Sequence, residues 1–268
     1  MRARLFLQIA SVEARRRLSY RADFWITSAA GFLVEFGALY FLWHAMYRNA
    51  LQVGGWTLDA MVFYQAAVLL LGKLVRGPEF EGVISQDIYE GGLNRYLVYP
   101  LGYLRFKYAQ HLGSLLPAAL QFVLFGGSFL LFLDLPEGSG VTLAGLGMAL
   151  GAVAVANLLH FLMSFPLQAV AFWADNVWSL TVAMRLITAL LGGILVPLAL
   201  FPGWARDLLA WTPFPHLFAI PAETLLGRIG PAEWARGLLV GLGWCAAFAA
   251  AGRAVWRRGD LQYSGVGI

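Results

Sequence analysis

Six apolar stretches separated by short polar connections organise this chain: residues 24–46, 60–76, 107–133, 143–172, 177–200 and 235–256. A bilayer crossing takes about 20 residues, within roughly 17–25. The second stretch sits at the short limit, while the third and fourth are long enough to tilt or to project from the membrane. The pattern predicts an all-α integral membrane protein, a single domain over 1–268 with six transmembrane helices. An even number of crossings places both termini on the same side.

The interruptions of the pattern carry as much as the stretches. Residues 1–22 are basic, with Arg2, Arg4, Arg15, Arg16, Arg17 and Arg21, while Leu5, Ile9 and Val12 recur at helical spacing beside Phe6. Arginines running up to Arg21 do not fit a cleavable signal peptide. The spacing fits an amphipathic interfacial helix in the headgroup plane, held by apolar burial and anionic lipid. A solvated basic arm is the alternative.

Between the second and third stretches, Asp87 to Leu101 alternates charge with bulky apolar groups and closes on Pro100. On a helix from Asp87 to Tyr99, the residues Ile88, Leu93, Tyr96, Leu97 and Tyr99 form an apolar side. Asp87, Glu90, Asn94 and Arg95 stay polar. Such a helix at a cytoplasmic surface can bury its apolar side in the groove of a soluble partner, with Glu90 and Arg95 setting register at the rim. A surface helix resting on lipid headgroups is the other reading.

The connection from about 201 to 232 is not linker-like. With Pro197 it holds six of the eleven prolines, and Trp204, Leu208 and Trp211 fall at i, i+4 and i+7. That predicts a short amphipathic helix, a Pro-Phe-Pro turn, and a second short helix from about Ala219 to Leu226 ended by Gly227. Tryptophan favours the membrane interface. Two short re-entrant helices dipping back toward the membrane would seal the outer end of a pathway, or simply cap the interface.

Polar groups at membrane depth are few. Glu35 falls near the middle of the first stretch and Arg185 within the fifth, where ionisable groups are costly and often functional. They are candidates for the lining of a path, together with Trp178, Trp204 and Trp211, or for structural pairing with one another. Asn157, His160, Ser164 and Gln168 make a polar seam that suits bonding between helices. Gly147-xxx-Gly151 and Gly237-xxx-Gly241 have the spacing of small-residue packing motifs.

Composition agrees with the pattern. Hydrophobic residues make up 60% of the chain and charged residues 13%, against about 25% charged in soluble domains. The net charge of +4 comes from an uneven distribution of arginine and lysine. The insert and its flanks hold Lys73, Arg76, Arg95, Arg105 and Lys107, and Arg253, Arg257 and Arg258 lie near the C-terminus, whereas the opposite side holds only Arg48, Arg206, Arg228 and Arg236. The basic side is cytoplasmic by the positive-inside rule. Both termini and the insert therefore face the cytoplasm, and the charge needs no nucleic acid to explain it. Cys245 is the only cysteine, so no intrachain disulfide forms.

No phosphate loop, H-E-x-x-H or G-x-S-x-G pattern occurs, and no pair of aqueous carboxylates is placed for acid–base work. His44, His111 and His216 are too scattered for a metal site. This argues against an enzyme and for a chain that binds no metal or cofactor of its own.

The chain resembles the permease subunits of ABC type-2 exporters, the six-span subgroup without a fused ATPase. The resemblance rests on the basic arm leading to Tyr20-Arg-Ala-Asp-Phe-Trp25, on Gly91-Gly-Leu-Asn-Arg-Tyr-Leu-Val-Tyr-Pro-Leu101 and on Phe172-Trp-Ala-Asp-Asn-Val-Trp178. It extends through Gly192-Gly-Ile-Leu-Val-Pro-Leu-Ala-Leu-Phe-Pro202, Thr212-Pro-Phe214, Pro221 to Gly227 and the short Gly/Tyr-containing tail. It implies a permease of a bacterial inner membrane, two such subunits around a central path, and a separate nucleotide-binding ATPase that holds ATP and Mg. It makes the segment between spans two and three a coupling helix, and so gives Asp87, Ile88, Glu90, Gly91, Leu93, Arg95, Tyr96, Leu97 and Pro100 the role of ATPase coupling. Homodimer and paired heterodimer both fit, and an amphiphilic or lipid-like cargo is what the resemblance suggests. A small integral-membrane enzyme and a non-transporting membrane scaffold are the competing classes.

Overall fold

The computed structural model describes residues 2–19, 21–77, 82–96, 98–132 and 140–263. The described residues are mostly helical, with no strand among them and one isolated bridge between Val53 and Trp56. The α-helices are α1 (Arg2–Ser19), α2 (Arg21–Met46), α3 (Leu58–Arg76), α4 (Val83–Tyr89), α5 (Tyr103–Ser114), α6 (Leu116–Phe132), α7 (Leu143–Ala169), α8 (Trp178–Leu191), α9 (Gly203–Leu209), α10 (Ala219–Leu225) and α11 (Pro231–Asp260).

Four described segments are long and apolar enough to cross a membrane: Ala29–Asn49, Leu58–Arg76, Leu143–Phe172 and Pro231–Asp260. The third and fifth apolar stretches are not single long helices. The third is divided at Leu115 into α5 and α6. Pro117 explains the division, since it has no N–H to donate to the Gly113 carbonyl and its ring crowds that turn. The fifth contains the 14-residue α8, which stops at Gly192. There the backbone turns through Gly193 at φ 91°, and a Cβ on Gly192 would strike the Phe218 ring at 2.7 Å.

At Gly192–Ile194 this stretch is buried, and its carbonyls are served by two side chains and one backbone amide. Tyr64 Oη donates to Gly193 O at 2.9 Å and Ala219 N donates to Gly192 O at 3.0 Å. With its amide turned to satisfy both neighbours, Gln65 donates to Ile194 O at 3.2 Å and accepts from Trp43 Nε1 at 3.0 Å. Irregular backbone at membrane depth persists only where protein supplies such partners.

Helix α3 is the centre of the bundle, buried along most of its length and packed by α2, α6, α7 and α10. Met61, Tyr64, Val68, Leu71 and Val75 form its inner ridge. Helices α2 and α11 are instead largely exposed. Helix α11 is held to α7 and α10 by one stripe of small residues, Gly237, Gly241, Cys245, Gly252 and Gly259. A Cβ on Gly237 would lie 3.2 Å from Ile220, one on Gly241 3.1 Å from Val155, and one on Gly252 2.8 Å from Phe165. The glycine motif legible at 237 and 241 is thus the start of a seam running the length of the helix.

Helix α1 packs along α5 instead of standing alone. The approach is close enough that a Cβ on Gly113 would run into the Ala10 carbonyl oxygen. Glu13 is buried at this contact and accepts from Arg16 at 2.7 Å and Arg17 at 3.0 Å. Of the apolar stripe expected to enter lipid, Leu5 and Ile9 are half-buried while Val12 is exposed.

Candidate functional site

The insert after α3 is built from capping chemistry. Helix α3 ends at Gly77, with φ 70°. Helix ends leave carbonyls without intrahelical partners; here Asn157 Nδ2 donates to Leu74 O at 2.9 Å and Val75 O at 3.1 Å, and lies 2.9 Å from His111 Nε2. Helix α4 then starts at Gly82, which has no side chain to cap it. The cap comes from α7, where Gln168 Oε1 accepts from Gly82 N at 3.1 Å and Ile84 N at 3.0 Å. Two members of the α7 polar seam, Asn157 and Gln168, therefore clamp the neighbouring helix ends.

The expected continuous helix from Asp87 to Tyr99 is two pieces. Helix α4 ends at Tyr89, Gly91 reverses the chain with φ 68°, and a 3₁₀ turn follows at Gly92–Tyr96. Glycine reaches positive φ without the Cβ penalty that stops other residues there. The break redirects the apolar positions: Ile88 and Leu93 are buried within this chain's own core. They are not available to a partner's groove, contrary to the sequence expectation. Leu97 lies outside the described residues.

Asp87, expected on a polar outer side, is instead the buried node of the segment. Its Oδ2 accepts from Lys107 Nζ at 2.6 Å and Tyr103 Oη at 2.8 Å, and its Oδ1 accepts from Arg95. Lys107 is itself buried. The Tyr96 ring supports both cations, with Lys107 Nζ 4.8 Å and the Arg95 guanidinium 5.0 Å from its centroid. Two longer ties complete the anchoring: Tyr89 Oη donates to Ala174 O at 3.0 Å, and Leu93 N donates to Tyr263 Oη at 3.3 Å.

What remains outward is an edge of mixed character: Gln86, Glu90, Asn94, Arg95, Val98, Tyr99 and Pro100 are exposed. Val98 is 81% exposed, unusual for an apolar residue in a segment otherwise tied down. Beside this edge lies a crevice of about 450 Å³ against α1, lined by Glu13, Arg16, Arg17, Glu90, Arg95 and Tyr99 among others.

A second feature lies among the apolar helices. A cavity of about 640 Å³ is walled by α2, α3, α6 and α8, with Glu35, Lys73, Arg76 and Gln121 among apolar neighbours. Lys73 Nζ donates to Gln121 Oε1 at 3.3 Å and lies 5.5 Å from the Phe32 centroid, and Arg76 stacks on Phe218 at 4.9 Å. Glu35 is exposed to this cavity and lies within electrostatic range of Lys73. Arg185 lines a different, narrow cleft with Ser164, Gln168 and Met184. The basic residues that share a cavity with Glu35 are thus on α3, not α8.

At the other end, the short helices α9 and α10 fall where the tryptophan and proline pattern put them, and Gly227 follows at φ 71°. Trp204, Leu208 and Trp211 point outward, and α10 is the buried member. Trp244 Nε1 donates to Trp211 O at 2.8 Å, tying this end to α11. Trp178 is exposed on the first turn of α8.

Sequence reasoning missed Lys107, Tyr103, Lys73, Arg76 and Gln121 as site residues. The two lysines and Arg76 registered only as orientation charges, and a tyrosine or glutamine in an apolar run carries no signal of its own.

Residues 33–267 match the family model described as ABC-2 family transporter protein. The match covers most of the chain, and the chain belongs to that family. It is a membrane domain of a transporter. No curated protein and no solved structure matches it.

Proposed function

We propose that this chain is the permease subunit of an ATP-driven exporter in a bacterial inner membrane. A separate ATPase carrying ATP and Mg drives it, and a second permease completes the path. In this reading six crossings place both termini and the 82–100 insert in the cytoplasm. The fifth crossing is α8 extended by the irregular 192–200 segment, which is buried at Gly192–Ile194 and closes on a 3₁₀ turn at Leu198–Leu200, and the third contains the divided α5–α6 pair.

One observation carries the reading: the insert is rigidly tied to the bundle yet leaves one edge bare. Force applied at Val98, Tyr99 and Arg95 passes through the Asp87 node to α5, through Gln168 to α7, and through Tyr263 to the end of α11. A rigid lever needs both features, a free contact surface and fixed attachments. The exposed edge, not the buried Ile88 and Leu93, is then the ATPase contact.

The cavity between α2, α3, α6 and α8 supports an amphiphilic cargo. Its walls are mostly apolar, and its charges, Glu35, Lys73 and Arg76, are grouped among them. An apolar body with a polar end fits such a site. Co-expression of the chain with a candidate nucleotide-binding ATPase from the same genome tests the proposal. A stable complex whose hydrolysis responds to amphiphilic compounds is the expected result; a chain that captures no ATPase and transports nothing would refute it.

A further inference from the structure

A crevice of about 400 Å³ lies between the start of α5, the last turns of α7 and the end of α11, adjoining the Asp87 node through Tyr103 but separate from the two cavities described above. Its lining holds three arginines, Arg105, Arg253 and Arg257, and no acidic residue. Leu104, Phe165 and Trp256 supply the apolar wall. The inner end is closed by an aromatic column, with Trp256 stacked on Tyr103 at 4.8 Å and on Phe165 at 5.3 Å between centroids. None of the three arginines makes an ion pair among the described residues, and all three are exposed. Three guanidinium groups held at one opening repel each other unless an anion sits between them.

We infer that this crevice binds the headgroup of an anionic phospholipid of the cytoplasmic leaflet. Three observations favour a lipid over an acidic protein surface. Arg253 and Arg257 lie in the last turns of a long apolar helix, at the depth where such a helix leaves the hydrocarbon. The α11 surface leading away from the crevice toward the opposite end is largely exposed and apolar, a track for acyl chains. Trp256 sits at the junction, an amphipathic ring suited to the headgroup level. Arginine presents a planar fork that matches phosphate oxygens in pairs, which makes it the stronger phosphate ligand for such a site. The volume lies within the roughly 300–1,000 Å³ of small-molecule sites. The assignment to the cytoplasmic leaflet rests on the orientation proposed above, whereas the preference for an anionic headgroup does not.

The test is lipid titration of the purified chain in phosphatidylcholine nanodiscs containing a minor share of phosphatidylglycerol, with bound lipid read by native mass spectrometry. Wild type should retain phosphatidylglycerol selectively. The triple variant Arg105→Gln, Arg253→Gln, Arg257→Gln should lose that affinity by on the order of a hundredfold, about fivefold per arginine. A charge-matched triple variant, Arg4→Gln, Arg206→Gln, Arg258→Gln, should keep it, as should replacement of the three crevice arginines by lysine to within about tenfold. If the triple glutamine variant does not fold, Arg253→Gln alone is read in the same titration, with about a fivefold loss expected. Equal loss in both triple variants would reduce the effect to bulk charge and overturn the assignment. So would displacement of the lipid by inorganic phosphate, which would make the site one for soluble phosphate. Unchanged lipid retention with weakened ATPase capture would mark the crevice as a protein contact instead.

Discussion

Asp87 and Lys107 form an ion pair at 2.6 Å in which neither side chain is more than 5% exposed. The pair joins the short helix α4 to the start of the next apolar stretch, and Tyr103 and Arg95 complete the carboxylate's hydrogen bonds. A buried carboxylate with this many donors is a fixed point, because losing one partner strands a charge in a poorly solvated place.

Breaking that pair should therefore be costly. Lys107→Met is expected to lower stability by about 3–5 kcal/mol, since Asp87 would stay buried with less compensation. Asp87→Asn combined with Lys107→Met should recover part of the loss. Chemical denaturation in detergent measures the cycle, and strictly additive losses would mean that the pair is not the fixed point described.

Gln168 caps α4 from a different helix, so its removal should loosen the insert without disturbing the bundle. Gln168→Ala should cost about 0.5–2 kcal/mol, the range for a lost helix cap. Amide exchange of Gly82 and Ile84 should speed up while that of α7 stays unchanged. Protection at both places as in wild type would show that the cap is not held by this side chain.

Leu93 and Val98 lie five residues apart in opposite environments, one 6% and the other 81% exposed. Leu93→Ala should destabilise the chain by about 2–5 kcal/mol through the cavity it leaves. Val98→Ala should be neutral within about 0.5 kcal/mol. A thermal-shift comparison of the two purified variants decides it, and equal effects would contradict the burial described.

Glu35 shares its cavity with Lys73 and not with Arg185. A double-mutant cycle of Glu35→Gln with Lys73→Gln should give an interaction energy of about 0.5–3 kcal/mol, whereas Glu35→Gln with Arg185→Gln should add to within about 0.5 kcal/mol. Thermal midpoints in detergent read both cycles. Coupling to Arg185 alone would place α2 against α8 in a way the structure does not.

Much of this architecture is readable from residue spacing, and the failures share one cause. Apolar length located α3, α7 and α11, and the Trp204/Leu208/Trp211 spacing with its prolines located α9 and α10. Pattern alone joined what single backbone events divide: Pro117 splits the third stretch, Gly192 and Gly193 end α8, and Gly91 breaks the insert. A periodicity count assumes an unbroken helix, so it projected Ile88 and Leu93 onto one docking face, whereas Ile88 is buried on α4 and Leu93 is buried after the chain reverses at Gly91. Asp87 was legible as a charge but not as a buried one, because its partners Tyr103 and Lys107 are distant in sequence and become neighbours only when α5 folds back beside α4.

The central claim is that the exposed edge of the insert, and not its buried apolar residues, receives the ATPase. Photo-crosslinkers placed singly at Tyr99, Val98, Ile88 and Leu93 in cells producing both proteins test it directly. Tyr99 and Val98 should capture the ATPase, and Ile88 and Leu93 should give only crosslinks within the chain itself. Capture from Ile88 or Leu93 with none from Tyr99 or Val98 would contradict the account.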